Sequence, residues 1–352
     1  MKRFLKTGWI LICFFMLSCE KNIELSIDLP KASVVLNAFL SADSMITATV
    51  SRTVRDIYDN NPDSLPSYFP YKTSIEVFAN DVKQGVMEKE KDGRYRLPGY
   101  YPSVGDRIRM EVQADGFDPL SAEVSIPSQP CILSVDTQMY KETSTSYYLG
   151  ENMIDVKLRF KEPENETNYY MLALEGYGIN KKDTLTKINL PVFVAHNEDL
   201  LFEKLEPVYF FDSSFADSYD TSFFIFNDKA ITTGEYTLKF TLNNVLGSYD
   251  SDSLSFVSAC RMYLYSISES YYLYYRSKLL QWKQKEDPFG SVGLREPVPT
   301  YTNVRNGYGL LSARQAAIYE FKVAPGMSPP EYYNVYSLPD ADFNIFTPED
   351  GE

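Results

Sequence analysis

The sequence predicts an all-β protein, and three features carry that prediction. Short runs rich in Val, Ile, Thr, Tyr and Phe recur along most of the chain and partly alternate with polar residues, as half-buried strands do. Turn-forming pairs such as Asp92-Gly93 and Asp115-Gly116 separate them, and such pairs tolerate the positive φ that hairpin turns require. A single segment, 266–285, changes to a helical period.

In chain order, residues 32–39 (ASVVLNAF) and 45–54 (MITATVSRTV) read as the first two strands. A Pro/Asn loop follows over 60–71. Further strands are expected at 73–79, 95–97, 107–114 and 122–126. About seven short strands in roughly 100 residues suit an immunoglobulin-like sandwich over 31–127. Pro127 and Pro130 bracket a segment that breaks sheet pairing and marks a boundary.

A larger β-rich domain is expected over 131–323, with strands at 154–160, 169–175, 223–226, 236–242 and 254–257. Within it, Ser266 stands three residues before Glu269, the spacing of a capping box. Tyr272, Tyr275, Leu279 and Trp282 then recur at three- and four-residue steps and form one apolar stripe, and Pro288 follows. The expectation is an amphipathic helix over about 266–285, docked on a sheet. The tail, 324–352, is Pro-rich, acidic and aromatic; chain ends are disordered by default, while its aromatics suit docking on the protein itself or on a partner.

The start of the chain has a different character. Lys2, Arg3 and Lys6 precede a short apolar core over 8–17, about half the ~20 residues that a membrane-spanning helix needs. This is the pattern of a secretory leader, residues 1–18. Met16-Leu17-Ser18-Cys19 resembles the cleavage site of a bacterial lipoprotein, with Met16 in place of the commoner leucine. Cleavage would leave Cys19 to carry lipid, followed by a tether over 19–30. Buried acyl chains contribute about 0.8 kcal/mol per CH₂, so two or three hold a protein durably on a membrane.

Composition narrows the partners. Hydrophobic residues make up 44% of the 352, enough to bury a core, and removal of Lys2, Arg3 and Lys6 with the leader takes the formal charge from −14 to −17. Such a surface repels phosphate backbones, so nucleic acid is not an expected partner. Cys13 leaves with the leader and Cys19 carries lipid, so Cys131 and Cys260 remain in the folded part. An oxidising compartment permits them to pair; two buried thiols are the alternative.

One stretch carries a family resemblance. Residues 271–277 (YYLYYRS), Asp287-Pro288-Phe289, Glu296-Pro297-Val298 and residues 301–310 (YTNVRNGYGL) are similar to the C-terminal pattern of the Bacteroidota lipoproteins called domain of unknown function four-two-four-nine. The IDLP segment at 27–30 and the DGRY turn at 92–95 fit as well. Two departures stand out: Leu310-Leu311-Ser312-Ala313 occupies the place of the family's usual Phe-Gly pair, and the acidic tail is additional. The resemblance covers about 19–323. It implies an outer-membrane lipoprotein, often encoded beside TonB-dependent transporters, and no established activity. Pro and Gly fix backbone angles in 296–310 while Val298, Tyr301, Val304 and Leu310 pack, so a structural role is expected there.

Catalytic material is sparse. His196 is the sole histidine and no GxSxG elbow occurs, so nucleophilic hydrolysis lacks a base and its setting. No CxxC or HxxxH spacing supplies a zinc site, and neither metal nor cofactor is expected. Asp212, Asp217 and Asp220 share a polar loop; oxygen-rich loops can hold calcium, though this one lacks the glycine and terminal glutamate of an EF-hand. Tyr271 and Tyr274 lie off the predicted apolar stripe and are candidates for a contact surface.

The reading that follows is a non-enzymatic accessory or ligand-capture lipoprotein of the outer membrane, working beside a TonB-dependent transporter. Glu20 after the lipid cysteine resembles a surface-export signal, which favours the outer face, although Lys21-Asn22 dilutes it. A structural or adhesive surface protein is the alternative. A hydrolase using two of the 48 acidic residues is the third.

Overall fold

The structure, a computed structural model, describes residues 31–53, 69–141, 152–179, 185–190, 193–196, 201, 223–243, 256–286 and 295–322, except positions 71, 92, 162, 164–166, 230, 232 and 233. Contacts divide the chain into two units. Met1–Ala32 with Val54–Leu65 lies almost wholly outside the described residues, and Ser33–Thr53 with Pro66–Glu352 holds the sheets.

The first eight strands are β1 (Val34–Leu40), β2 (Thr47–Arg52), β3 (Thr73–Ala79), β4 (Val82–Val86), β5 (Glu88–Lys89), β6 (Arg94–Arg96), β7 (Arg107–Ala114) and β8 (Leu120–Ser125). They form two facing sheets, ordered β1-β2-β6-β5 and β4-β3-β7-β8. Alternation builds the core between them: Val34, Leu36, Ala38 and Leu40 of β1 and Ile75, Val77 and Ala79 of β3 point inward. Ile108, Met110, Val112 and Ala114 of β7 complete that layer. Burying each large apolar side chain contributes roughly 1.5–3 kcal/mol. Asn80 and Asp81, with φ of 51° and 66°, make the two-residue turn between β3 and β4, as a tight hairpin requires.

The second sandwich follows directly after Pro130. Its strands are β9 (Cys131–Lys141), β10 (Asn152–Lys161), β11 (Tyr169–Ile179), β12 (Leu185–Leu190), β13 (Phe193–His196), β14 (Phe223–Asn227), β15 (Glu235–Asn243) and β16 (Phe256–Ile267). One sheet runs β13-β15-β10-β9; the other places β11 between β12 and β16, with β14 also on β11. On β11, Tyr170, Leu172 and Leu174 face the core shared with β10 and β15. Met171 and Ala173 face the opposite way, beneath the helix α1 (Glu269–Glu286). Both faces of β11 are therefore buried, which explains its almost unbroken apolar run, YYMLAL.

The last of the described strands, β17 (Tyr308–Lys322), joins the two sandwiches. Its first part, Tyr308 to Ala313, pairs in parallel with β1. Its second part, Arg314 to Lys322, pairs antiparallel with β16 on the other edge. The two expected domains thus share one continuous sheet, and the boundary at Pro127–Pro130 is crossed again by this strand. Chain composition is otherwise as the sequence predicts: all-β, with a helix docked on a sheet.

The helix begins later than expected. Ser266 belongs to β16, where it lies opposite Gln315 and Tyr170, so strand pairing outweighs the capping-box spacing. Ser268 caps the helix instead, its Oγ accepting the Tyr271 N–H at 3.3 Å.

Candidate functional site

A dense polar construction lies where α1 meets β17. In its first part β17 has β1 on one edge, and its other edge would expose unpaired backbone groups. Ser270 Oγ donates to the Leu311 carbonyl at 2.9 Å. Asn303 donates to the same carbonyl at 2.8 Å and accepts the Leu311 N–H at 3.0 Å. Ser268 accepts the Ala313 N–H at 3.1 Å, and its own N–H donates to the Ala313 carbonyl at 2.9 Å. Three short polar side chains thereby replace a missing strand.

The segment 295–307 runs back along α1 to the first sandwich. Gln281 donates to the Val298 carbonyl, Gln284 to that of Glu296, and the Tyr301 N–H to Ser277 Oγ. Val304 then enters the first core, and Arg305 exchanges two backbone hydrogen bonds with Ser121 of β8. Gly309 sits at φ +107°, where a Cβ would fall 2.0 Å from the Leu36 carbonyl oxygen. Only glycine lets β17 approach β1 here.

Under α1, Arg314 is surrounded by tyrosines. Its guanidinium lies 5.1 Å from the centre of the Tyr265 ring and hydrogen-bonds to Tyr271. Tyr271 in turn meets Tyr275 with rings 4.8 Å apart, and Phe39 of β1 stands edge-on to Tyr271 at 5.9 Å. Burial works against the charge on Arg314, but Tyr271, Tyr265 and Tyr275 outweigh it, and the pKa shifts upward. Burial pushes the Tyr274 hydroxyl up to about 12 and that of Tyr275 well above its ordinary value. These hydroxyls stay protonated near neutrality, so they can hydrogen-bond but cannot act as bases.

Tyr271 and Tyr274, expected at a contact surface, are 2% and 7% exposed and belong to the core. The expectation assumed one buried helix face. In the structure α1 is covered by β11, β14 and β16 and by Phe39, Leu310 and Tyr301 as well. Among the described side chains of α1, Glu269, Arg276 and Leu280 face solvent. Tyr272, Tyr275 and Leu279 of the expected stripe are buried.

Cys131 begins β9 as an exposed, free thiol rather than one half of the pair with Cys260 that the sequence left open. The side chains of Cys260, His196 and Trp282 lie outside the described residues, as do Cys19, Asp212, Asp217, Asp220 and the tail 324–352. Among the described residues, no group of three or more His, Cys, Asp and Glu could hold a metal ion.

A second construction was not foreseen from the sequence. The loop between β6 and β7 is held by Asp106, whose carboxylate accepts the Tyr100 hydroxyl at 2.9 Å, the Ser103 N–H at 2.8 Å and Asn80 Nδ2 at 2.7 Å. The Ser103 bond foremost, then Tyr100 and Asn80, holds the Asp106 pKa below the usual carboxylate value. The Asp43 N–H donates to the Pro102 carbonyl at 2.9 Å and ties in the β1–β2 loop. This pair of loops presents Met45, Tyr101 and Val104, at 42%, 57% and 52% exposure. Gly99 and Gly105, both at positive φ with open space around them, flank the Tyr101–Val104 tip and were the available signal.

Comparison with known families decides the relationship. The model described as "Domain of unknown function (DUF4249)" matches residues 20–318, from just after Cys19 into β17. The chain belongs to this family. No curated protein matches it. Among solved structures, the adhesin InvE of Yersinia pseudotuberculosis is similar at 12% identity, over 68% of this chain and 55% of that one, with a TM-score of 0.19. Bovine butyrophilin is similar at 8% identity, over 67% and 92% of the two chains, with a TM-score of 0.18. The chain thus matches about half the length of the adhesin.

Proposed function

We propose that this chain is a non-enzymatic accessory protein, lipidated at Cys19, held on the outer face of a Bacteroidota outer membrane, and working beside a TonB-dependent β-barrel transporter in ligand capture. The observation that carries the binding part is the loop pair presenting Met45, Tyr101 and Val104 on a frame fixed by Asp106. Exposed apolar side chains on a rigid scaffold suit an interface, because little conformational freedom is lost on docking. The Lys2-Arg3 leader and the Leu17-Ser18-Cys19 site support the anchor, and the family resemblance supports the transporter.

The test is purification from native membranes of the wild-type chain and of a variant with Tyr101→Ser and Val104→Ser. A β-barrel transporter accompanying the wild type and lost with the variant is the expected result. A wild-type chain that carries acyl groups yet brings down no barrel would overturn the transporter role. An unlipidated mature chain would overturn the anchor.

A further inference from the structure

The chain enters β1 at Val34 and leaves it after Leu40 for the loop that carries Met45. Val35 to Leu40 pair in parallel with Tyr308 to Ala313 of β17. On its other edge β1 pairs antiparallel with β2, from Val34 opposite Arg52 to Asn37 opposite Thr49. Because the ladder with β17 is parallel, β17 departs at the Leu40 end, where Arg314 to Lys322 run on along β16. The lead into β1 and the strand out to the second sandwich therefore lie at opposite ends of one ladder.

Tension between those two points runs along the strands, whereas the hydrogen bonds of the ladder run between them. No pair at one end takes the force alone, so the ladder must slip as a whole. Force applied across one end would instead open the pairs in turn. Other contacts hold β17 in place. Asn37 Oδ1 accepts the Leu310 N–H at 3.1 Å across the ladder. Just before β17, Val304 is buried in the first core and Arg305 exchanges two backbone hydrogen bonds with Ser121. A Cβ at Gly307 would fall 2.8 Å from the Val34 carbonyl oxygen, so the two chains lie close at the entry to β1 as well.

We propose that the β1–β17 ladder is a shear clamp, which keeps β1 from being drawn out of the shared sheet when the chain is pulled between its N-terminal lead and its second sandwich. The need for such a clamp rests on the anchoring reading above: a chain fixed to a membrane through Cys19 and to a partner at or beyond the Met45 loop is drawn along β1.

Single-molecule force spectroscopy on the full chain tests this, with its own cysteines replaced by serine and handles on introduced ones. Lys31→Cys with Ile318→Cys loads the ladder from opposite ends, and Lys31→Cys with Tyr308→Cys loads it from one end. All three positions are exposed, and equal melting temperatures of the two variants verify that the fold survives. At one pulling speed the opposite-end pair should need about twofold or more force to rupture. Equal forces, or a weaker opposite-end pair, would overturn the proposal. A mature chain without lipid would overturn the anchor and leave these forces unchanged, so the two failures are distinguishable.

Discussion

Arg314 places its guanidinium over the ring of Tyr265, 5.1 Å from its centre, at the residue where β17 leaves β1 and joins β16. A charge held in that position by tyrosine rings and hydroxyls couples the two sandwiches through side chains as well as through the backbone.

Replacing Arg314 by Met keeps most of the stem and deletes the charge. The expected cost is about 1–2 kcal/mol, the range of a partly desolvated cation–π contact. Urea unfolding followed by fluorescence and by circular dichroism checks it. Because both sandwiches meet at this residue, the two signals should shift together.

Gly309→Ala is expected to be far more damaging. The new Cβ would meet the Leu36 carbonyl at 2.0 Å at a φ of +107°, and no flexible side chain can yield there. The expected loss is about 3 kcal/mol or more, or failure to fold. Gly116→Ala, at φ +82° with nothing within 4 Å, should cost only about 1–2 kcal/mol of backbone strain.

Acid should loosen the loop that carries Tyr101 and Val104. The folded pKa of Asp106 lies below its ordinary value, chiefly through the Ser103 N–H. Its contribution to stability is therefore present above the unfolded value of about 3.9 and is lost as pH falls through the lowered folded value. Asp106→Asn should flatten that part of the stability–pH profile, as measured by thermal unfolding between pH 2 and 6.

Tyr274→Ala should cost roughly 3–5 kcal/mol, as for other large-to-small changes in a core. Leu280→Ser, at an exposed position of the same helix, should stay within about 0.5 kcal/mol. Comparable small effects at both positions would return Tyr274 to the surface.

Much of the fold was legible because local pattern and tertiary burial agree. The run at 73–79 alternates and becomes β3, and 107–114 becomes β7. The strand β17 was not legible. Its second residue is Gly309, Leu310 and Leu311 are both buried on opposite sides, and its partners are distant in sequence. Helix α1 was read one-sidedly because a 3.6-residue stripe predicts a single buried face, whereas β11, β14 and β16 cover it together with Phe39, Leu310 and Tyr301. In the Asp106 loop the Ser103 bond is local, three residues away, but Asn80 is 26 residues distant and only the fold brings it to Asp106.

The placement of β17 also sets an order of assembly. Asn37 and Leu310, neighbours across that ladder, are 273 residues apart, and such distant contacts form slowly. The strand β1 must wait for β17, made 273 residues later at this contact. Until then β1 keeps a bare apolar flank, so a translation product stopped short of residue 308 would lack a finished domain of either kind and be prone to clump.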